Sequence, residues 1–492
     1  MPSMSPVDRA FFLLETEQRP MNVGLLVVLT PPGNSRRGRP SDVIVRRMLR
    51  CPVGPPFNYR LAPGAWPTLV AGPAVDPAEQ LFRHDLPAGS DLQALFARLC
   101  EIHARRLDRA RPLWEMHVFD GLSGRRVALY FKTHHGLIDG LGFLEVIRAT
   151  VSGDPARATA QAIWRGLPGT SGDRSPPPAA PRAGWLPASL DLLRTGFETG
   201  RTAADLARLL WHLGRRDLGL GRGMSTPFVS TPDVLKAPPT PHRVLGHCAL
   251  PLDRVKTLAS RGGATVNDIV LATLDLALSR YLDERGMHAD RPLVADVPVA
   301  LHDAGGAGNR ISILQVPMGR PGGTPAERLD DIVRETRVLK EEVRTLSPQA
   351  LFLYSIVEHA IASAIETFNL GELPMLANTV ISNPAGLDGT VYFNGVPIEL
   401  ALPVSVVAHH QVLNITVSNY AGNLDVTFIA LREAVPDVQA LAVATVVALG
   451  DLERSISRTS KTSRPRKRKP ARRPSNHGRA RGGARAPSPA LH

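Results

Sequence analysis

Arg126-Val127-Ala128-Leu129-Tyr130-Phe131-Lys132-Thr133-His134-His135-Gly136-Leu137-Ile138-Asp139-Gly140 is the stretch around which this chain is organised. Val127, Leu129 and Phe131 alternate with Ala128, Tyr130 and Lys132, the two-residue period of a β-strand. The strand runs directly into two histidines. Beyond Asp139-Gly140, Phe143, Val146 and Ile147 recur at helical spacing. A strand therefore feeds a short histidine-bearing loop and then a helix, which makes the local fold α/β.

A histidine takes and returns a proton near neutral pH, the work of a general acid–base catalyst, once it is held in one tautomer and orientation. A carboxylate four residues on, Asp139, can hold the imidazole by a hydrogen bond or can anchor the loop that carries it. Gly136 and Gly140 permit tight turns around the site. Two other readings stand beside this one. Two histidines and an aspartate could ligate zinc, although adjacent histidines point to opposite sides of a strand. The pair could also be structural.

Outward from this loop, strands and helices are mixed in both directions. On the N-terminal side the pattern gives a short helix around Phe11–Glu15, a strand over Val23–Leu29, a helix over Leu92–Leu107 and a strand over Trp114–Phe119. On the C-terminal side it gives strands over Leu245–Leu250, Leu293–Val299, Thr379–Ser382, Val391–Phe393, Gln411–Asn419 and Leu424–Ala430. Helices are expected over Ile269–Tyr281, Pro325–Leu346 and Asp437–Ile456. Between them Ser175-Pro176-Pro177-Pro178-Ala179-Ala180-Pro181 suits neither a helix nor a central strand and reads as a linker. Two helices are expected after it, at 186–198 and 202–214. The second carries Leu206, Leu209, Leu210 and Leu213 on one stripe, read as a face packed on a domain or, with Trp185 and Trp211, laid on a membrane surface. The expected division is 1–151, a linker with amphipathic helices at 152–240, a second α/β domain at 241–456 and a disordered tail at 457–492.

Length agrees with two domains, because single cores stop growing at about 250–300 residues and the chain has 492. The net charge of +13 resembles that of a nucleic-acid binder, but twelve Lys or Arg and no acid lie between Arg458 and the end. Removing those twelve leaves a body near +1, so the charge belongs to a solvated tail with no specific nucleic-acid partner. Cys51, Cys100 and Cys248 form no pair with metal or disulfide spacing and fit a reducing compartment. No signal peptide is visible. The longest strongly apolar run, Ala440–Leu449, is far short of the roughly 20 residues a membrane span needs. The expected location is cytoplasmic, with membrane contact at most peripheral, on the inner face of a membrane or on lipid droplets.

The loop resembles the HHxxxDG signature of the CoA-dependent acyltransferase superfamily. Further segments resemble, in order, the bacterial wax ester synthase/diacylglycerol acyltransferases. They are Ser5-Pro6-Val7-Asp8 with Phe11 and Glu15, Pro20-Met21-Asn22-Val23-Gly24, Leu107-Asp108-Arg109, Arg111-Pro112-Leu113-Trp114-Glu115, Val266-Asn267-Asp268, Val297-Pro298-Val299 and Gly308-Asn309-Arg310. The resemblance implies two chloramphenicol-acetyltransferase-like domains with a substrate tunnel between them. It implies a long-chain acyl group passed from acyl-CoA, a substrate rather than a cofactor, to the hydroxyl of diacylglycerol or a fatty alcohol.

By the same carry-over His135 is the base, His134 its supporting neighbour and Asp139 an organiser of the loop. Gly140, Pro112 and Trp114 shape the site. Asn267, with Asp268, is the first candidate for the oxyanion donor and Ser405 the second, while a helix cap is the competing reading of Asn267-Asp268. No GxSxG elbow supplies a nucleophile, so direct transfer without an acyl-enzyme is expected. Three departures from the family pattern are Asn22 where a histidine is usual, Ser382-Asn383-Pro384-Ala385-Gly386, and His409-His410 where small residues are common. The alternatives carried forward are an enzyme using carrier-bound acyl groups and a non-catalytic lipid-binding member of the fold.

Overall fold

The computed structural model describes residues 4, 6–31, 38–64, 66–156, 160–167, 200–217, 229, 231–300, 311–367, 375–384 and 386–462. The proline-rich linker, the helix expected at 186–198, Gly308-Asn309-Arg310 and the tail beyond residue 462 lie outside them.

In chain order the first half comprises α1 (Pro6–Leu14), β1 (Asn22–Leu29), α2 (Asp42–Met48), β2 (Tyr59–Leu61), β3 (Leu69–Ala71), β4 (Leu81–Ser90), α3 (Leu92–His103), β5 (Trp114–Leu122), β6 (Val127–His134) and α4 (Gly140–Thr150). After α5 (Gly200–Asp217) come β7 (Arg243–Pro251), α6 (Leu252–Gly262), α7 (Val266–Asp283), β8 (Val294–Ala300), β9 (Ile311–Pro317), α8 (Pro325–Thr345) and α9 (Pro348–Thr367). The chain ends through β10 (Thr379–Ser382), β11 (Tyr392–Phe393), β12 (Val396–Val404), β13 (Leu413–Tyr420), β14 (Asn423–Leu431) and α10 (Val438–Thr462).

Two six-stranded sheets organise these elements, in the orders β11-β12-β1-β6-β5-β4 and β7-β14-β13-β10-β8-β9. The α/β expectation with two sheet-and-helix halves therefore holds. One expectation needs correction. Residues assigned to a self-contained second domain at 241–456 do not all stay there, because β11 and β12 cross back and β12 pairs antiparallel with β1, Gly24 opposite Val404. Val396–Val404 is not among the expected strands at all. The closing helix also continues to Thr462, so the first residues of the expected tail are helical.

Strand β6 is buried along its whole length, in keeping with apolar residues on both of its faces from Val127 to Phe131. Val127, Leu129 and Phe131 join a core with Trp114, Trp164 and Phe143. Ala128 and Tyr130, on the opposite face, join a second core that continues into the other half through Leu245, Ile269, Val426 and Leu441. The second core thus runs through both halves. The helices begin where local chemistry directs. Asp139 caps α4, Thr265 and Asp268 form a capping box on α7, and Thr324 and Glu327 form one on α8. On α5, Leu209 and Leu213 are buried in the shared core while Trp211 stays 67% exposed, so the described part of the apolar stripe packs on the protein. No helix among the described residues is long and apolar enough to cross a membrane.

Candidate active site

The histidine loop hangs from three backbone hydrogen bonds. The His134 amide donates to the Leu113 carbonyl at 3.1 Å, the His135 amide to the Met21 carbonyl at 2.8 Å, and the Leu137 amide to the His134 carbonyl at 2.9 Å. Leu113 stands between Pro112 and Trp114, and this is what their segment contributes. Pro112 and Trp114 both offer carbonyls to the buried Gln80 amide, at 3.0 and 2.6 Å. Trp114 stacks between Phe131 and Trp164 and donates from its indole to the Phe57 carbonyl at 2.9 Å. Pro112 and Trp114 therefore set the seat of β6.

His134 is buried, and one of its two ring nitrogens is hydrogen-bonded. Its Nδ1 accepts from the Gly136 amide at 3.0 Å, which places the proton of the neutral ring on Nε2. Nε2 faces Glu15 Oε1 at 3.6 Å, and the ring lies flat on Phe12 with centroids 4.0 Å apart. Burial holds the His134 pKa below its ordinary value, with Glu15 pulling the other way. Glu15 is itself buried, and burial alone would raise its pKa. Against that, His134, the Met21 amide and Arg109 bring it down to about 2. The Met21 amide donates to Glu15 at 3.2 Å, while Arg109 and Arg106 reach it at 2.9 and 3.3 Å. The sequence reading quoted Glu15 and Arg109 only as parts of two motifs. It missed that they form the charged support of His134, because they come from segments far apart in the chain.

His135 differs from its neighbour. Its ring is half-buried and stacks on Phe11 at 4.0 Å. Its Nδ1 is enclosed, with no hydrogen bond to any other described residue. Burial lowers its pKa to about 4, partly offset by its own backbone carbonyl and by the charge of Asp8. The ring is therefore neutral across the physiological range.

Asp139 does not hold the imidazole. Its Oδ1 accepts from the Gly142 amide at 2.7 Å as the N-cap of α4, so of the two readings the loop-anchoring one is correct. Gly136 lies in the expected tight turn, closed by the Leu137 amide on the His134 carbonyl, whereas Gly140 opens α4. Neither Gly136 nor Gly140 has a positive φ. Gly136 is required for close approach, since a Cβ there would lie 2.5 Å from Phe12 Cε2 and 2.6 Å from the Asp8 carbonyl oxygen. A Cβ on Gly140 meets nothing within 4 Å.

The two oxyanion candidates are placed differently. Thr265, not Asn267, caps α7. Asp268 is the third residue of that helix, closing the capping box and accepting from Thr336 at 2.8 Å. Helix α7 packs chiefly on α6, α8 and α10, and among the described residues no hydrogen bond joins Asn267 to the histidine loop. Ser405 follows β12 directly, at the sheet end that carries His135. With His134 opposite Asn22 and Val404 opposite Gly24, Ser405 lies two strands from the loop, about 10 Å at ordinary strand spacing. Its Oγ accepts from Asn414 at 3.4 Å, leaving its own hydroxyl hydrogen to be donated. Asn22, the departure from the family pattern, is fully buried and donates to the carbonyls of His103 and Arg105 at 2.9 and 2.8 Å.

A cavity of about 380 Å³ lies between the halves, with Arg19, Lys236, Glu366 and His410 among its lining.

Residues 4–270 match the wax ester synthase/diacylglycerol acyltransferase catalytic domain, and residues 307–453 match the C-terminal domain of that family. The chain is 31% identical over 486 residues to a Mycobacterium tuberculosis protein named as the diacylglycerol O-acyltransferase Tgs4, covering 94% of this chain and 99% of the other. A second protein of that organism, named in the same way as tgs2, is 31% identical over 467 residues, covering 93% and 100%. The solved wax ester synthase/diacylglycerol acyltransferase from Marinobacter aquaeolei VT8 superimposes with a TM-score of 0.69 at 24% identity, covering 93% of this chain and all of that one. The first condensation domain of a calcium-dependent antibiotic synthetase shares the fold with a TM-score of 0.54 at 18% identity, covering 92% and 96%.

Proposed function

This chain belongs to the wax ester synthase/diacylglycerol acyltransferase family, and from that premise we propose that it is an O-acyltransferase in which His135 is the general base. The transfer runs from a long-chain acyl-CoA to the hydroxyl of diacylglycerol or a long-chain alcohol. One observation carries the reading. Of the two adjacent imidazoles, His134 has its Nδ1 taken by the Gly136 amide and its Nε2 turned to the buried Glu15, whereas His135 is less buried and no other described residue hydrogen-bonds its ring.

With Nδ1 enclosed, Nε2 is the nitrogen that meets substrate. It removes the proton from the acceptor hydroxyl as the oxygen attacks the thioester carbonyl. The carbonyl π pair moves onto oxygen, giving a tetrahedral oxyanion beside the imidazolium. Ser405 is the preferred donor to that oxyanion and Asn267 falls behind it, on the placements described above. As the intermediate collapses, the C–S bond breaks and the CoA sulfur takes the proton back from His135. No acyl-enzyme forms. A neutral imidazole is the form this cycle needs at its start. The cost of its transient charge is offset by the oxyanion formed next to it. Enclosure between the halves as a tunnel would keep water from the thioester. The acceptor's apolar body implies delivery from a lipid surface, which the chain would meet peripherally.

The test uses the full chain with palmitoyl-CoA and either dioleoylglycerol or hexadecanol in mixed micelles, following released thiol and the ester product. His135→Ala is expected to lose about 10²–10⁴-fold in kcat. Wild-type turnover by that variant would remove the proposal.

A further inference from the structure

His103 is buried, stands outside the histidine loop and takes no part in the steps above. It ends α3, where the last carbonyls of a helix need donors from elsewhere. Two strands supply them. Asn22 on β1 donates to the His103 and Arg105 carbonyls at 2.9 and 2.8 Å. Lys132 on β6 donates to the Ile102 and Arg105 carbonyls at 3.0 and 2.7 Å, and its charge suits a helix C-terminus. Asn22 pairs with His134 in the sheet, so the end of α3 is pinned beside the histidine loop.

Both ring nitrogens of His103 are engaged. Nε2 lies 3.1 Å from the Ser405 carbonyl oxygen, and Nδ1 lies 2.6 Å from the Tyr130 hydroxyl. Burial, with Lys132 and Arg243 adding their charges, lowers the His103 pKa to about 3, so the ring is neutral and carries one N–H. A carbonyl can only accept. The hydrogen is therefore on Nε2, and Nδ1 accepts from Tyr130. Tyr130 thus fixes the tautomer in which His103 donates to Ser405. Gly24 makes room for the phenol, since a Cβ there would lie 2.5 Å from Tyr130 Cε2 and 2.7 Å from its hydroxyl oxygen.

Ser405 belongs to neither a helix nor a strand, so side chains decide where it sits. His103 holds its carbonyl, and Asn414 Nδ2 donates to its Oγ at 3.4 Å. An apolar side chain could fill the place of His103 with no polar atom to satisfy. What the buried line Tyr130–His103–Ser405 adds is one defined orientation at its far end.

We propose that His103 is a positioning residue of the transfer: its Nε2–H, kept in that tautomer by Tyr130, fixes the Ser405 backbone so that the Ser405 hydroxyl is aimed at the oxyanion. This rests on the reading of Ser405 as oxyanion donor and names what orients it. The full chain is assayed by released thiol with palmitoyl-CoA and hexadecanol. His103→Leu is expected to lower kcat about 10–100-fold with both KM values within about twofold, because the contact matters in the transition state alone. Ser405→Ala should lose about 10²–10³-fold, and the double variant no more than that. His103→Gln, whose longer amide can bring an N–H to the place of Nε2–H, should restore most of the turnover, whereas the shorter His103→Asn should not. Tyr130→Phe keeps the imidazole but frees its tautomer, and should cost about fivefold in kcat, the worth of one hydrogen bond.

A purely structural His103 predicts instead that losses follow the melting temperature, that Gln helps no more than Asn, and that the double variant loses the product of the single losses. Any of these results would overturn the proposal, as would wild-type turnover by His103→Leu. If the leucine variant does not fold, the comparison of Gln with Asn and the effect of Tyr130→Phe decide. Wild-type turnover by Ser405→Ala would remove the oxyanion donor and the positioning role together. A slow Ser405→Ala beside fast His103 and Tyr130 variants would remove the positioning role alone.

Discussion

Replacing Glu15 with Gln tests the support beneath the site most directly. The carboxylate is buried and faces His134 Nε2, the Met21 amide, Arg109 and Arg106. Its pKa falls from 4.5 to about 2 on folding. A depressed carboxylate pKa stabilises the fold above the unfolded value, and the contribution is lost as pH falls through the folded one. Two and a half pKa steps correspond to roughly 3 kcal/mol at pH 7, decreasing to about 1.4 kcal/mol at pH 3. Gln keeps the shape and one acceptor but removes the buried counter-charge; Arg109 and Arg106 are about a third exposed and Arg106 keeps Glu17, so most of the amount, not all of it, is expected to appear. The assay is urea unfolding of wild type and variant at pH 7 and at pH 3, with turnover measured alongside. A gap of about 2–3 kcal/mol at pH 7 that roughly halves at pH 3 agrees with the reasoning. Kcat should drop about tenfold or more, since Met21 and His134 together position His135. Equal stability at pH 7, or a gap that ignores pH, would refute it.

The remaining predictions concern the loop and its seat. Burial lowers the His135 pKa from 6.5 to about 4, so its neutral form contributes stability fully above pH 6.5, lost as pH falls toward 4. The acid limb of kcat/KM should accordingly sit well below 6.5, near 4 to 5 in the free enzyme, and a limb at 6.5 would contradict the burial described. Gly136→Ala should abolish turnover and destabilise by about 1–3 kcal/mol by driving a methyl into Phe12 and the Asp8 carbonyl, whereas Gly140→Ala, which meets nothing, should keep both within error. Circular-dichroism melts beside the thiol assay distinguish these outcomes, and equal behaviour of the two would count against the packing argument. Trp114→Ala should cost about 3–5 kcal/mol, because a fully buried indole stacked between Phe131 and Trp164 leaves a large void; chemical denaturation measures it, and a loss under about 1 kcal/mol would show that the seat of β6 repacks.

The amino-acid sequence by itself determined what depends on neighbours along the chain. The alternation from Val127 to Phe131 gave a strand, and the spacing of Phe143, Val146 and Ile147 gave the helix after it. The carboxylate at Asp139 was placed where a cap forms, within three residues of the amide it accepts from. Adjacent histidines at a strand end were legible for the same reason, and the ordered motifs pointed to the family. The tertiary structure alone showed that Val396–Val404, a stretch interrupted by Pro397, Glu399 and Pro403, is a strand, and which sheet it joins. It alone brought Glu15 to His134, Leu113 to the histidine amide, and Arg19 to Glu366. It also brought Ser405 to the sheet end that carries the histidine loop and put the imidazole of His410 into a cavity. Each of these is a contact between segments remote in sequence, and such contacts are chosen by whole-chain packing and burial rather than by any local pattern of residues.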